Sequence, residues 1–171
     1  MRRDAGFTLL EILVVVVIIG VMATLAVLSI GGRSLDDRMA LEARRLHELM
    51  ALAADEAVLQ GAELGFIQTA EGYDFLVLRD GKWQPLEDAG PLRARAVAPP
   101  LYLELQIDGR RVAPLRSDDP RQELKPQVLL LSSGEATEFT LDLHAQQFAP
   151  YYRLQGDLLG QLKLERKGEA T

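Results

Sequence analysis

The chain has 171 residues, about one domain's worth. Lys and Arg total 19 against 25 Asp and Glu, a net charge of −6, and cysteine is absent. This composition excludes disulfide scaffolds, thiolate metal sites and cysteine nucleophiles, and it argues against broad nucleic-acid binding, which needs a basic surface. The two histidines, His47 and His144, lie far apart in sequence, so no HExxH or His-rich metal site is present.

The first element is the run 12–30, ILVVVVIIGVMATLAVLSI, which carries no charge. As a helix it is about 28 Å long, close to the hydrocarbon thickness of a bilayer. Val and Ile are poor helix formers in water, but a bilayer admits only helices or closed barrels. A single strand this long would exceed the usual limit of about ten residues. The run therefore predicts a membrane-spanning helix. Arg2 and Arg3 precede it with one acid, Asp4. Basic residues stay on the cytoplasmic side, which predicts an inside N-terminus and places 31–171 outside. The run is longer than the apolar core of a secretory signal, and its end, MATLAVLSIGG, offers no clean small-residue cleavage site. Glu11 sits at the cytoplasmic edge of the run. A carboxylate there is costly unless it reaches the interface or finds a partner, and both readings stay open on the residues alone.

Gly6-Phe7-Thr8-Leu9-Leu10-Glu11, followed by the apolar run, closely resembles the N-terminus of type IV pilins and type II secretion pseudopilins. The resemblance implies a leader peptide, 1–6, cut by a membrane aspartyl prepilin peptidase between Gly6 and Phe7. It implies N-methylation of Phe7 by the same enzyme, and a subunit-assembly role for Glu11, paired with the N-terminal amine of a neighbouring subunit. The physics fits. Cleavage creates a cation at a helix N-terminus, where the macrodipole favours negative charge, so a carboxylate from the next subunit can neutralise it. Such a buried pair acts better as a register device than as a source of stability. Gly6 lets a protease approach the backbone closely.

On this reading 7–30 is the transmembrane and filament-core helix, and 31–61 is its amphipathic continuation. Gly31-Gly32 is expected to bend the helix, and Ser34 with Asp37 resembles a capping box that restarts it. Leu35, Met39, Ala43, Leu46, Met50, Ala53 and Ala57 then recur at steps of three and four, an apolar stripe expected to face a core. His47 lies beside that stripe and reads as an edge residue. Gly61 is the expected C-cap.

From 62 to 171 the pattern changes to period two, which predicts a β-rich globular domain. Strands are expected at 63–68, 73–79, 82–86, 101–107, 110–115, 127–131, 137–143 and 158–164. Asp80-Gly81 and Asp108-Gly109 signal two-residue hairpins. Phe139, Leu141 and Leu143 alternate with Thr140, Asp142 and His144, the mark of a half-buried antiparallel strand. Stretches 87–100 and 113–126 read as loops, Ser132-Ser133-Gly134 as a turn, and Trp83 as a packing aromatic. Asp118-Asp119 lacks the further oxygens that calcium needs. No nucleophile elbow, Walker loop or Rossmann fingerprint occurs, so neither an enzyme, a metal nor a cofactor is expected.

The C-terminal part is similar to minor pseudopilin H of type II secretion, the GspH family. The resemblance lies in GYDFLVLRDGKWQPL at 72–86, VLLLSSGEATEFTLDL at 128–143 and YRLQGDLLGQLKL at 152–164. It implies an α+β, pilin-like fold with a long N-terminal helix, membrane-spanning in its first half, packed on antiparallel β-sheets. It implies a bacterial inner-membrane protein with a periplasmic C-terminal domain, joining the pseudopilus near its tip. The implied partners are minor pseudopilins I, J and K, major pseudopilin G, an inner-membrane assembly platform, and membrane lipid before assembly. Glu11 argues against the K type, which lacks that acid. The type G calcium loop finds no match. A FimT-like minor pilin, acting in pilus biogenesis or DNA uptake, stays open as the alternative. Its DNA role would need Arg93, Arg95, Arg110, Arg111 and Arg116 to converge; under the leading reading no nucleic acid is bound. A plain membrane-anchored binding module is the third reading.

Overall fold

The computed structural model describes residues 9–86, 90–115 and 124–168, the side chains of 23–34 excepted. The chain divides into two compact units, Met1–Arg38 and Met39–Thr171. Helix α1, Leu9–Gln60, supplies the described part of the first unit and opens the second. The restart expected at Ser34 does not occur, because helical backbone runs through Gly31, Gly32 and Ser34. Two glycines cost about 1 kcal/mol each in a helix, whereas nucleating a second helix costs about 4 kcal/mol.

Within the second unit the stripe is buried as expected. Met39, Ala43, Leu46, Met50, Ala53 and Ala57 are buried, and Leu49 joins them. The helix ends at Gly61, whose φ of 62° is the left-handed value of a glycine cap. The Ala62 N–H donates to the Ala57 carbonyl at 3.1 Å, and the Gly61 N–H to the Val58 carbonyl at 3.4 Å. These are the paired bonds of a Schellman motif.

Two antiparallel sheets follow. The first holds β1 (Leu64–Gln68), β2 (Gly72–Arg79), β3 (Lys82–Pro85), β4 (Arg95–Ala96) and β7 (Val128–Leu130), in the order β3-β2-β1-β7 with β4 also on β2. The second holds β5 (Leu101–Ile107), β6 (Arg110–Val112), β8 (Phe139–Ala145), β9 (Phe148–Gly156) and β10 (Leu162–Lys167), in the order β10-β9-β8-β5-β6. Asp80, Gly81, Asp108 and Gly109 all have positive φ, as both two-residue hairpins require.

The differences from expectation are local. Strand β4 and a 3-10 turn at Gly90–Leu92 occupy part of the expected loop 87–100. Strand β6 stops at Val112; Leu115 crosses instead to the first sheet, donating its N–H to the Gln68 carbonyl at 2.8 Å. Strand β10 begins at Leu162, because 157–161 form a turn. Strand β9 was not expected. It contains Pro150, which sits where the β8–β9 register shifts between Leu143↔Tyr152 and Ala145↔Phe148. A bulge needs no donor there, so proline is tolerated. The Asp118-Asp119 pair and Arg116 lie outside the described residues.

The core lies where the helix meets both sheets. Leu46, Met50, Ala53 and Ala57 pack with Phe66, Phe75 and Val128 of the first sheet and with Leu105, Leu141 and Leu154 of the second. Phe66 and Phe75 meet nearly edge to face, with ring centroids 5.7 Å apart. Gln68, a buried polar residue, joins the sheets. Its Nε2 donates to the Leu103 carbonyl at 2.7 Å and its Oε1 accepts from the Leu105 N–H at 3.2 Å. Its own N–H donates to Gln127 Oε1 at 2.6 Å.

Candidate functional site

The first unit carries the feature that most needs a partner. Side chains 9–22 are all exposed, from Val15 at 43% to Leu9 at 85% among the large apolar ones. Val14, Val15, Val16, Val17, Ile18 and Ile19 follow one another without a polar residue, so every face of the helix is apolar. A helix apolar all round is stable only when lipid or other apolar surface covers it. Glu11 is the acid in the first helical turn, where the macrodipole favours a negative charge. Gly6 and Phe7, the expected cleavage and methylation positions, lie outside the described residues. Among the described residues no helix is long and apolar enough to cross a membrane. The described side chains of the run stop at Met22, so 12–30 falls only partly within them.

The second unit presents an outer sheet face in which each acid is answered by a base. Glu104, Asp142, Arg153 and Glu165 occupy one cross-strand row. Arg153 holds Asp142 with two hydrogen bonds of 2.8 and 2.7 Å. Hydrogen bonding to that carboxylate raises the arginine's pKa above its ordinary value. Arg111 meets Glu104 at 2.5 Å. Lys163 and Lys167 hydrogen-bond Glu165 and pull its carboxyl down to about 2. Beside this row Tyr102, His144 and Tyr151 stack across three strands, with centroids 5.3 and 4.8 Å apart. His144 is thus a packing residue between tyrosine rings, a role that its place on the polar strand face did not announce.

The arginines considered for DNA are not gathered in one element. Arg95 is on β4 of the first sheet, and its Nη2 donates to the Pro91 carbonyl at 3.1 Å. Arg110 and Arg111 are on β6 at the edge of the second sheet. Among the described residues no three His, Asp or Glu side chains are grouped to hold a metal ion. Sequence reading missed the burial of Asp142, because its partner Arg153 lies on the unrecognised strand β9.

Residues 42–160, more than half of the chain, match the family model described as type II transport protein GspH. The chain belongs to the GspH family. Residues 1–31 match the prokaryotic N-terminal methylation motif. Type II secretion system protein H of Pseudomonas aeruginosa is 38% identical over 150 residues, covering 84% of each chain. The protein of the same name from Aeromonas hydrophila is 31% identical over 172 residues, covering 95% of this chain and 94% of its own. The solved structure of the minor pseudopilin EpsH from the Type 2 Secretion System of Vibrio cholerae aligns with a TM-score of 0.62 at 25% identity. That alignment covers 77% of this chain and 98% of the solved chain. The fold is pilin-like, and this GspH-family chain is a minor pseudopilin of the type II secretion system. The matches favour secretion over the FimT-like alternative. The family is a structural component of the secretion machinery.

Proposed function

We propose that the chain is made as a precursor, cut by prepilin peptidase between Gly6 and Phe7, and methylated on the Phe7 amine. The run 12–30 spans the inner membrane with the N-terminus cytoplasmic, and the β-rich unit stands in the periplasm. Lipid covers the apolar helix before assembly; neighbouring helices cover it afterwards. The subunit takes its place near the tip of the pseudopilus, with minor pseudopilins I, J and K and major pseudopilin G. The inner-membrane platform drives that assembly, and the filament exports folded proteins across the outer membrane.

The carrying observation is the helix 9–22, apolar and exposed on every face, with Glu11 in its first turn. A module free in water has no use for such a segment. The test is exoprotein distribution in a strain lacking this gene, beside a complemented control. Folded exoproteins held in the periplasm, with pili and DNA uptake normal, are expected. Unchanged secretion with lost pili or DNA uptake would overturn the reading in favour of a type IV pilus.

A further inference from the structure

The turn 157–161, between β9 and β10, displays apolar side chains on a fixed frame. Asp157 Oδ1 accepts from the N–H groups of Leu159 and Gln161, both at 2.9 Å. The Gly160 N–H donates to the Asp157 carbonyl and the Asp157 N–H to the Gln161 carbonyl, both at 3.1 Å. Leu158 and Leu159 are nonetheless 62% and 71% exposed. Single exposed leucines are ordinary, but adjacent ones on an ordered turn mark a contact site when the patch continues. Here it continues. The Leu158 carbonyl accepts from the Ala136 N–H at 3.1 Å, and a Cβ at Gly134 would lie 4.0 Å from Val58. Val58 and Leu59, in the last turn of α1, are 51% and 81% exposed.

The surroundings are acidic. Asp55 and Glu56 precede Val58 on the helix, and Glu135 and Asp157 flank the two turns. The last turn of α1 has no base, so the negative end of its macrodipole adds to them. Beside the leucines a cleft of about 480 Å³ is lined by Glu138, Thr140, Gln155, Asp157, Gln161 and Lys163. Lys163 is the base in that cleft. Arg79 and Lys82, at the β2–β3 turn, lie at this same end, since the Leu78 N–H donates to the Glu63 carbonyl, but on the far side of β1 from β7 and the leucine turn.

We propose that this end of the β-rich unit docks a partner protein through a segment that sets an apolar side chain beside Lys or Arg. The apolar group lies on Leu158 and Leu159, and the base enters the cleft toward Glu138 and Asp157. Charge selects this occupant. Anionic lipid headgroups would be repelled by the same acids, and two copies of a chain with net charge −6 repel each other. The inference rests on the proposed assembly only in that an assembly supplies the partner.

The test uses the full chain in membranes of secreting cells, with benzoylphenylalanine placed at Leu159. Light-induced adducts are mapped by mass spectrometry. The expected adduct is with one other protein, at a peptide holding an apolar residue next to Lys or Arg. Its yield falls about tenfold with Glu138→Lys and recovers when the partner's base is changed to Glu. Adducts only with lipid, only with a second copy, or with none overturn the proposal, as does a yield indifferent to Glu138→Lys. The N-terminal mass is read on the same sample. An uncleaved leader counts against the filament reading alone, and a missing adduct against docking alone. Leu159 and Glu138 are both exposed, and circular dichroism of each variant confirms its fold.

Discussion

Phe139 lies across its cross-strand neighbour Gly156, so closely that a Cβ on the glycine would fall 2.2 Å from the ring. Glycine in a strand interior usually weakens the sheet; here it makes room for a buried aromatic ring. Gly156→Ala is expected to cost about 1–3 kcal/mol through overpacking. Thermal melting followed by circular dichroism checks this. Adding Phe139→Leu to the alanine variant should recover part of the loss, and no recovery would place the cost elsewhere.

Gln68 replaces a missing strand neighbour for β5 beyond the end of β6. Gln68→Leu leaves the buried Leu105 N–H and the half-buried Leu103 carbonyl without their partner. Each such group costs about 1–3 kcal/mol, so the variant should be destabilised by about 2–4 kcal/mol in urea titrations. A loss below about 0.5 kcal/mol would mean that water takes over both bonds.

The Asp142–Arg153 pair should be costlier to break than to replace. Asp142→Asn removes the charge from a bidentate contact whose acid side chain is only 3% exposed. The expected loss is about 1.5–3 kcal/mol, the range for hydrogen bonds to charged groups. Asp142→Leu combined with Arg153→Met should regain much of it, since apolar replacement of an ion pair is often neutral. A double-mutant cycle measures the difference.

Tyr73 predicts a loss of stability in alkali. Its hydroxyl donates to Glu42 Oε1 at 3.3 Å. Burial first, and then the Glu42 charge, raises its pKa above the ordinary 10.0. The folded state thus keeps the phenol neutral while the unfolded chain ionises. The stabilising contribution is complete below pH 10 and is lost as pH rises above it. Tyr73→Phe should flatten the fall in unfolding free energy as pH rises above about 10. An unchanged slope would assign the alkaline loss to other groups.

Glu11→Ala should leave membrane insertion and leader removal intact while lowering incorporation into the filament. The N-terminal mass of the membrane-bound chain and its share in sheared filaments read the two effects separately. Normal incorporation would remove the pairing role from Glu11.

What was legible in the sequence was mostly local. The stripe from Met39 to Ala57, the glycine cap and the two Asp-Gly hairpins each rest on contacts a few residues apart. Glu11 was legible as the acid at the edge of an apolar run. Strand β9 was not, because Pro150 reads as a strand breaker until the bulge around it is seen, and its entry turn, Gln146-Gln147, has no glycine. The burial of Asp142 and the clasp of Gln68 depend on strands brought together from distant sequence, which periodicity does not report. The turn 157–161 was hidden for a local reason, since Leu158 extends the apolar alternation of Leu162 and Leu164.

The second sheet also sets a timetable for the nascent chain. Strands β1, β2 and β3 pair as successive hairpins and can close as soon as they emerge. Strand β5 must wait for β8, since Leu101 pairs with Ala145. Until then the inner side of β5, including Leu105, lacks its neighbours, and the helix stripe is half covered. Such late, non-local closure slows folding and prolongs exposure of sticky surface. Chains truncated before Phe139 should therefore stay protease-sensitive, whereas the full chain should resist.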